Sequence, residues 1–311
     1  ATIVTVLCQS VGHPEDDTGA TTGRPAGLSG GRSGKQSADT GKVEKVTDQI
    51  RAFSFGGGVQ STAAMVLQAQ GEIDFPLFIF ANVGDDSEHP DTLAYFNEVH
   101  VPFAAKHGIE LVEVKRTWKD GSQYSLLQQI ERLPKTIPIP GYLESGMPWR
   151  RACTASWKVE VVVKTLKQLG ATKENPALVG MGISTDEIQR ARTDQPIPEE
   201  HLVYPLIDLG LSRKDCEDIT KQAGLPPAPR SACWFCPFHS TAYWHDLADN
   251  RPDLFQAAVE LEDKMSERAQ RSVGSKMRLG RKGPLRNIVA QGRLSFDPEG
   301  PEECDSGHCF T

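Results

Sequence analysis

The stretch Arg51-Ala-Phe-Ser-Phe-Gly-Gly-Gly-Val-Gln-Ser-Thr62 decides how the rest of the chain is read. Residues 50–55 have the length and apolar character of a buried strand. Gly56, Gly57 and Gly58 follow, and from Ser61 onward Ala63, Met65, Val66 and Leu67 carry a helical run. A strand that turns through glycines into a helix leaves backbone N–H groups pointing outward, with the positive end of the helix dipole behind them. Such a corner suits an anion, and a phosphate above all. Glycine lets the main chain approach an oxygen-rich ligand, and the Ser61 and Thr62 hydroxyls can add donors. No lysine follows the glycines and the spacing is not Gly-x-Gly-x-x-Gly, so neither common phosphate motif is present. A plain glycine turn without a ligand is the competing reading.

Downstream, residues 75–81 form a continuous apolar run expected to be a strand buried on both faces. It leads into an acidic turn with Asp85, Asp86 and Glu88, a helix over 91–107 and a third strand over 110–114. A fourth strand is expected over 176–183, followed by a segment with Arg190 and Arg192. Alternating strands and helices at this spacing predict an α/β fold, a parallel sheet flanked by helices that binds its ligands at the carboxyl ends of the strands. Residues 115–151 are rich in proline and glycine around a helix near 122–133, as in a lid or substrate-gripping loop. Arg150, Arg151 and Lys158 then bring positive charge to a helix start, which suits a phosphate or, equally, a solvated basic face. Ser212 caps a helix that stops at Gly224.

In this order the pieces resemble the ATP pyrophosphatase (adenine nucleotide alpha-hydrolase-like) superfamily, which contains the phosphoadenylylsulfate (PAPS) reductases. The resemblance runs over about residues 50–239. Gly57, Gly58 and Ser61 fall on the family's Ser-Gly-Gly-x-Asp-Ser loop, whereas Gly56 and Gln60 replace its first serine and its aspartate. Gly84, Glu88, Pro90 and Thr92 fall on an Asp-Thr-Gly-x-Glu-x-Pro-x-Thr turn, with Asn82 in place of its aspartate. The resemblance implies ATP bound by Ser54, Gly56, Gly57, Gly58, Gln60, Ser61 and Thr62, with Mg²⁺ between its phosphates and a turn bearing Asp85 and Glu88. Arg190, Arg192 and Lys158 would stabilise phosphoryl charge.

Ser231-Ala-Cys-Trp-Phe-Cys-Pro-Phe238 is the second strong motif, because a Cys-x-x-Cys pair can clamp one metal or one iron of a cluster. In iron–sulfur members of the family an earlier cysteine joins such a pair around a [4Fe–4S] cluster, and here Cys153, Cys233 and Cys236 match. Three thiolates leave one iron open, as in some tRNA thiolation enzymes of the superfamily; Cys216, Cys304 or Cys309 could instead close the site. A structural Zn²⁺ on Cys153, Cys233, Cys236 and a histidine such as His239 is the alternative. The tail, with Cys304 and Cys309 around His308, is similar to the segment that carries the catalytic cysteine of PAPS reductases.

The chain of 311 residues, with formal net charge -7, is large enough for one sizeable domain and an appendage. Residues 1–48 read as a flexible leader, 49–239 as the nucleotide-binding α/β domain with its cluster site, and 240–311 as a mostly helical, basic region with a tail. Absence of a membrane-length apolar run and of a signal-peptide pattern makes the cytoplasm the expected location, where cysteines serve as thiols or metal ligands. Lys264, Arg268, Arg271, Lys276, Arg278, Arg281, Lys282, Arg286 and Arg293 crowd one stretch of an acidic protein, which suits a polyphosphate backbone or a solvated face. The resemblance therefore implies an ATP-using sulfurtransferase acting on DNA, as in phosphorothioation systems, or on tRNA, fed by a cysteine desulfurase. A PAPS or adenylylsulfate reductase and a nucleic-acid-binding module with structural zinc are the alternatives.

Overall fold

The computed structural model describes residues 49–118, 120–132 and 137–292. Its centre is a five-stranded parallel sheet. The strands are β1 (Arg51–Phe55), β2 (Leu77–Asn82), β3 (Glu110–Lys115), β5 (Ala177–Met181) and β6 (Glu200–Val203), in spatial order β3-β2-β1-β5-β6. A short strand β4 (Tyr142–Leu143) lies outside the sheet and pairs antiparallel with β7 (Met277–Arg278). The chain winds outward from β1 to β3 on one side, then returns to place β5 on the other side of β1. That reversal opens a crevice at the carboxyl ends of β1 and β5, where open α/β sheets bind ligands.

Alternation along the strands divides the apolar residues between the two faces. Phe53, Phe55, Phe78, Phe80 and Leu111 pack against α1 (Val59–Gln70), α3 (Val101–His107) and α7 (Arg213–Gln222). Ala52, Ile79, Val112, Val114 and Val179 pack on the other face against Val162 and Leu166 of α5 (Glu160–Gln168). Every residue of β2 is buried, as its unbroken apolar run requires. The expected helix over 91–107 is built as α2 (Pro90–Tyr95), a π-helical turn Phe96–His100 and α3. Its cap is His89, which accepts from the Asp91 amide. Ser212 and Asp215 form the capping box of α7, and the helix ends before Gly224, which has φ +74°.

A second core gathers the expected lid segment and the C-terminal part. Tyr124, Leu126 and Ile130, the last two from α4 (Leu126–Arg132), meet Trp157, Trp234, Phe235 and Trp244 there. Helices α8 (Thr241–Asn250), α9 (Pro252–Val273) and α10 (Leu285–Ala290) supply Leu247, Val259, Met265 and Ile288. Residues 137–157 therefore belong to the body of the protein. No described helix is long and apolar enough to cross a membrane.

Candidate functional site

The crevice is built first by the glycine turn. Gly57 has φ +77°, a backbone conformation that L side chains adopt at a cost. A Cβ there would also meet Phe80 and Thr92 at 3.6 Å. Helix α1 begins at Val59 with Gly58 as its cap residue and without any side-chain cap. The Gly58 carbonyl is held by the Thr62 amide at 2.9 Å, the Thr62 hydroxyl at 2.8 Å and the Ser61 hydroxyl at 3.0 Å. Both hydroxyls thus turn back onto the turn itself. Among the described residues, the amides of Val59, Gln60 and Ser61 meet no backbone carbonyl; the helical ladder starts with Thr62 N–H. A helix start left uncapped beside bare glycine is an anion site in its chemistry.

Three surrounding pieces frame it. The turn after β5 passes so close that a Cβ on Gly182 would lie 3.4 Å from the Ser61 amide nitrogen. Beyond it, in a 3₁₀ turn (Thr185–Arg190), the buried Glu187 carboxylate accepts from Gln60 Nε2 at 3.1 Å and from Arg190. Arg190 is therefore an ion-pair partner behind the glycine turn, with 5 % of its side chain exposed. Burial pushes the Glu187 pKa up, and the Arg190 charge acts against that shift.

On the α5 face of the sheet, Ser54, Lys158, Arg192 and Glu200 line one cleft. Lys158 sits on a π-helical turn (Ala155–Val159), while Arg192 makes a forked pair with Asp194, both bonds 3.1 Å long. Burial raises the Glu200 pKa to about 7 although the charge of Arg192 opposes it.

The acidic turn forms the third piece. Gly84, at φ +124°, lies so near Ser125 that an added Cβ would come within 2.2 Å of its Cβ. Asp86 accepts from the Ser87 and Ser125 hydroxyls, each at 2.8 Å. Asp85 accepts from Lys115 at 2.7 Å and Asn82 at 2.8 Å. Partial burial works to raise the Asp85 pKa, and those two hydrogen bonds outweigh it and leave it lowered. Glu88 differs: its carboxyl is fully buried, and neither oxygen has a hydrogen-bond partner among the described residues. Burial raises its pKa against the pull of the Lys158 charge, while the Val83 amide faces it without reaching hydrogen-bond geometry. An ionisable buried group with unused acceptors is costly unless a ligand engages it.

The segment with the Cys-x-x-Cys motif runs over both turns. Ser231 donates its hydroxyl to Gly56 O, and the Thr92 hydroxyl donates to Arg230 O at 3.2 Å. Cys233 then pairs with Glu88 in an isolated antiparallel bridge, flanked by His89 N–H to Ala232 O at 3.1 Å and Trp234 N–H to Ser87 O at 3.3 Å. The Trp234 indole donates to Asp86 O at 2.7 Å. Beyond this, Cys236 N–H bonds Cys233 O at 3.0 Å and His239 N–H bonds Cys236 O at 3.1 Å. The Tyr243 hydroxyl donates to Trp234 O at 2.9 Å, and the two thiols lie close enough that their charge would raise its pKa, after burial as the main cause.

Cys153 approaches from the other core. It packs against the same apolar cluster as Cys233, and two residues before it the Arg151 guanidinium lies 5.2 Å from the centre of the Phe238 ring. Among the described residues, no three His, Cys, Asp or Glu side chains converge as a metal site requires, so the three thiols do not meet at one point. His239, the alternative zinc ligand, directs Nε2 at Cys233 O at 2.8 Å and stacks on Tyr243 with ring centres 3.4 Å apart. Burial pushes its pKa down to about 3. Cys216 cannot close such a site. It is buried in the α1–α7 core with Phe53 and Leu206, and burial raises its thiol to about 12. Cys304 and Cys309 lie outside the described residues.

Of the basic stretch, Lys264 pairs with Glu131 at 3.5 Å and Arg286 with Asp263 at 2.8 Å. Arg268 donates to the carbonyls of Ile130 and Glu131 near the end of α4. These three serve the fold, and Arg293 is outside the described residues. Sequence reasoning missed Glu187, Glu200, Ser231 and His100. His100 is buried with Nε2 at 2.9 Å from Thr62 Oγ1, so it stands directly behind the glycine turn. Nothing local marked Glu187, Ser231 and His100, because each meets a partner far away in sequence.

No family model matches the chain, and no curated protein matches it.

Proposed function

We propose that this chain is an ATP pyrophosphatase-type sulfurtransferase that adenylates an oxygen of a nucleic acid, in DNA phosphorothioation or tRNA thiolation, and then replaces that oxygen with sulfur. The observation that carries the reading is the uncapped start of α1 at the strand-order reversal, with backbone amides left for an anion; Lys158 and Arg192 line a cleft with Ser54 on the other face of the sheet. ATP phosphates would lie over residues 56–62, with Mg²⁺ between them and the turn bearing Asp85 and Glu88. The acceptor oxygen attacks the α-phosphorus, the bond to the bridging oxygen breaks, and pyrophosphate leaves with the electron pair. Amides and cations fixed before the reaction stabilise the charge that develops on the phosphoryl oxygens. Sulfur from a cysteine desulfurase, carried as a persulfide on one of Cys304 and Cys309, would attack the adenylated centre while AMP leaves with the bonding pair; the thiol of the other would then attack the carrier sulfur, breaking the S–S bond to release the thio-product and leaving a Cys304–Cys309 disulfide for an external thiol to reduce.

Cys153, Cys233 and Cys236 are the proposed holders of a [4Fe–4S] cluster, with Zn²⁺ as the alternative. Because the three thiols do not converge in this structure, no step is derived through it.

The test is anaerobic incubation of the chain with each nucleotide. Pyrophosphate and AMP from ATP in the presence of nucleic acid is the expected result. Sulfite from PAPS or adenylylsulfate, without pyrophosphate from ATP, would establish the reductase instead. Neither product, with zinc on metal analysis, would leave only a binding module.

A further inference from the structure

We propose that Glu187 is a positioning residue for the anion turn, which it holds through Gln60. The inference rests on the nucleotide reading given above and deepens it.

Gln60 stands in the first turn of α1, buried beside the glycine turn. Its Nε2 donates to Glu187 Oε2 at 3.1 Å, and the same oxygen accepts from Arg190. All three side chains are buried. The carboxylate thus sits one residue layer behind the helix start and belongs to the turn after β5, 127 positions away in sequence. One acceptor oxygen ties α1 on one side of the reversal to the arginine turn on the other. The crevice lies between those two elements, so this bridge fixes its width. It also balances the Arg190 charge, which burial would otherwise make costly.

A bridge of this kind makes a specific demand: one partner must be a carboxylate and the other an amide. Gln60→Glu sets two carboxylates against each other within hydrogen-bond distance, and Glu187→Gln removes the balance for Arg190. The double variant Gln60→Glu/Glu187→Gln restores one donor, one acceptor and the same net charge with the roles exchanged.

The experiment measures dissociation constants of parent and variants for Mg-ATP and for inorganic pyrophosphate, with thermal melts alongside. Each single variant is expected to weaken binding of both probes by about tenfold or more, and the double variant to return within about threefold of the parent. Full-strength binding by both single variants would overturn the inference while leaving the nucleotide reading standing. A parent that binds pyrophosphate but not ATP, with the same rescue pattern, would keep the bridge and sink the ATP reading. A parent that binds neither probe would sink both. Should the single variants fail to fold, a folded double variant with parental affinity supports the bridge, and a folded double variant without affinity overturns it.

Discussion

The backbone of Cys233 is bridged to that of Glu88, which puts the cysteine motif and the acidic turn into one structural unit. The bridge joins positions 88 and 233, far apart in sequence, and its flanking hydrogen bonds run from His89 to Ala232 and from Trp234 to Ser87. Main-chain bonds hold the two segments together, so the relationship does not depend on long, mobile side chains.

The acidic turn depends on glycine at position 84. Its φ of +124° and the 2.2 Å approach of an added Cβ to Ser125 act together. Gly84→Ala is expected to cost about 3 kcal/mol or more in urea denaturation. Gly57→Ala faces no contact closer than 3.6 Å and should cost only about 1–2 kcal/mol, from backbone strain. Equal losses in the two variants would contradict the packing described.

His100 supplies a test of the buried relay behind the glycine turn. Burial lowers its pKa from 6.5 to about 3, so the folded chain keeps it neutral where the unfolded chain protonates it. Its contribution to stability is present above the unfolded value and is lost as pH falls below 6.5 toward 3. Comparing His100→Gln with the parent cancels the buried carboxyls of Glu88, Glu187, Glu200 and Glu262, whose raised pKa values act in the opposite direction. The stability gap between parent and variant should therefore shrink by about 2 kcal/mol between pH 6.5 and pH 5. A gap that is constant across that range would mean that His100 titrates normally.

Thiol accessibility separates the cysteines. Cys216 is fully buried with its pKa pushed up to about 12, whereas Cys153, Cys233 and Cys236 are half-buried. Iodoacetamide applied to the metal-free folded chain at pH 8 should label those three and spare Cys216, as read by peptide mass spectrometry. Labelling of Cys216 at a comparable rate would show that the α1–α7 core opens.

Glu262 on α9 holds the loop before α10 by accepting from the amides of Leu279, Gly280 and Leu285 at 2.7, 3.4 and 2.9 Å. Glu262→Ala leaves these buried donors without that acceptor and should cost about 3 kcal/mol. Glu262→Gln keeps one carbonyl oxygen and should lose less. Equal stability of the parent and both variants would mean that water replaces the carboxylate freely.

Much of this architecture is legible in the sequence because its signals are local. The apolar run of β2, the strand–glycine–helix corner and the Ser212 cap each declare themselves within a few residues. Strand β6 does not, since its residues Glu200 to Val203 carry no apolar alternation and it pairs on one side only, with β5. The start of α1 was expected at Ser61 and lies at Val59, because a glycine rather than the serine serves as cap. The site was legible in its main turns but not in its wiring. Gln60 reads as a broken motif until Glu187 stands beside it, and Ser231 reads as a spacer until its hydroxyl reaches Gly56. Pairings of that kind come from the topology of the sheet, which places the ends of distant strands side by side.

The most direct measurement is a crystal structure of the chain with a non-hydrolysable ATP analogue. The account predicts phosphate oxygens within hydrogen-bond distance of the amides of residues 57–61, with the Glu187 bridge intact behind them. An analogue bound elsewhere on the protein, with the glycine turn unchanged and unoccupied, would contradict it.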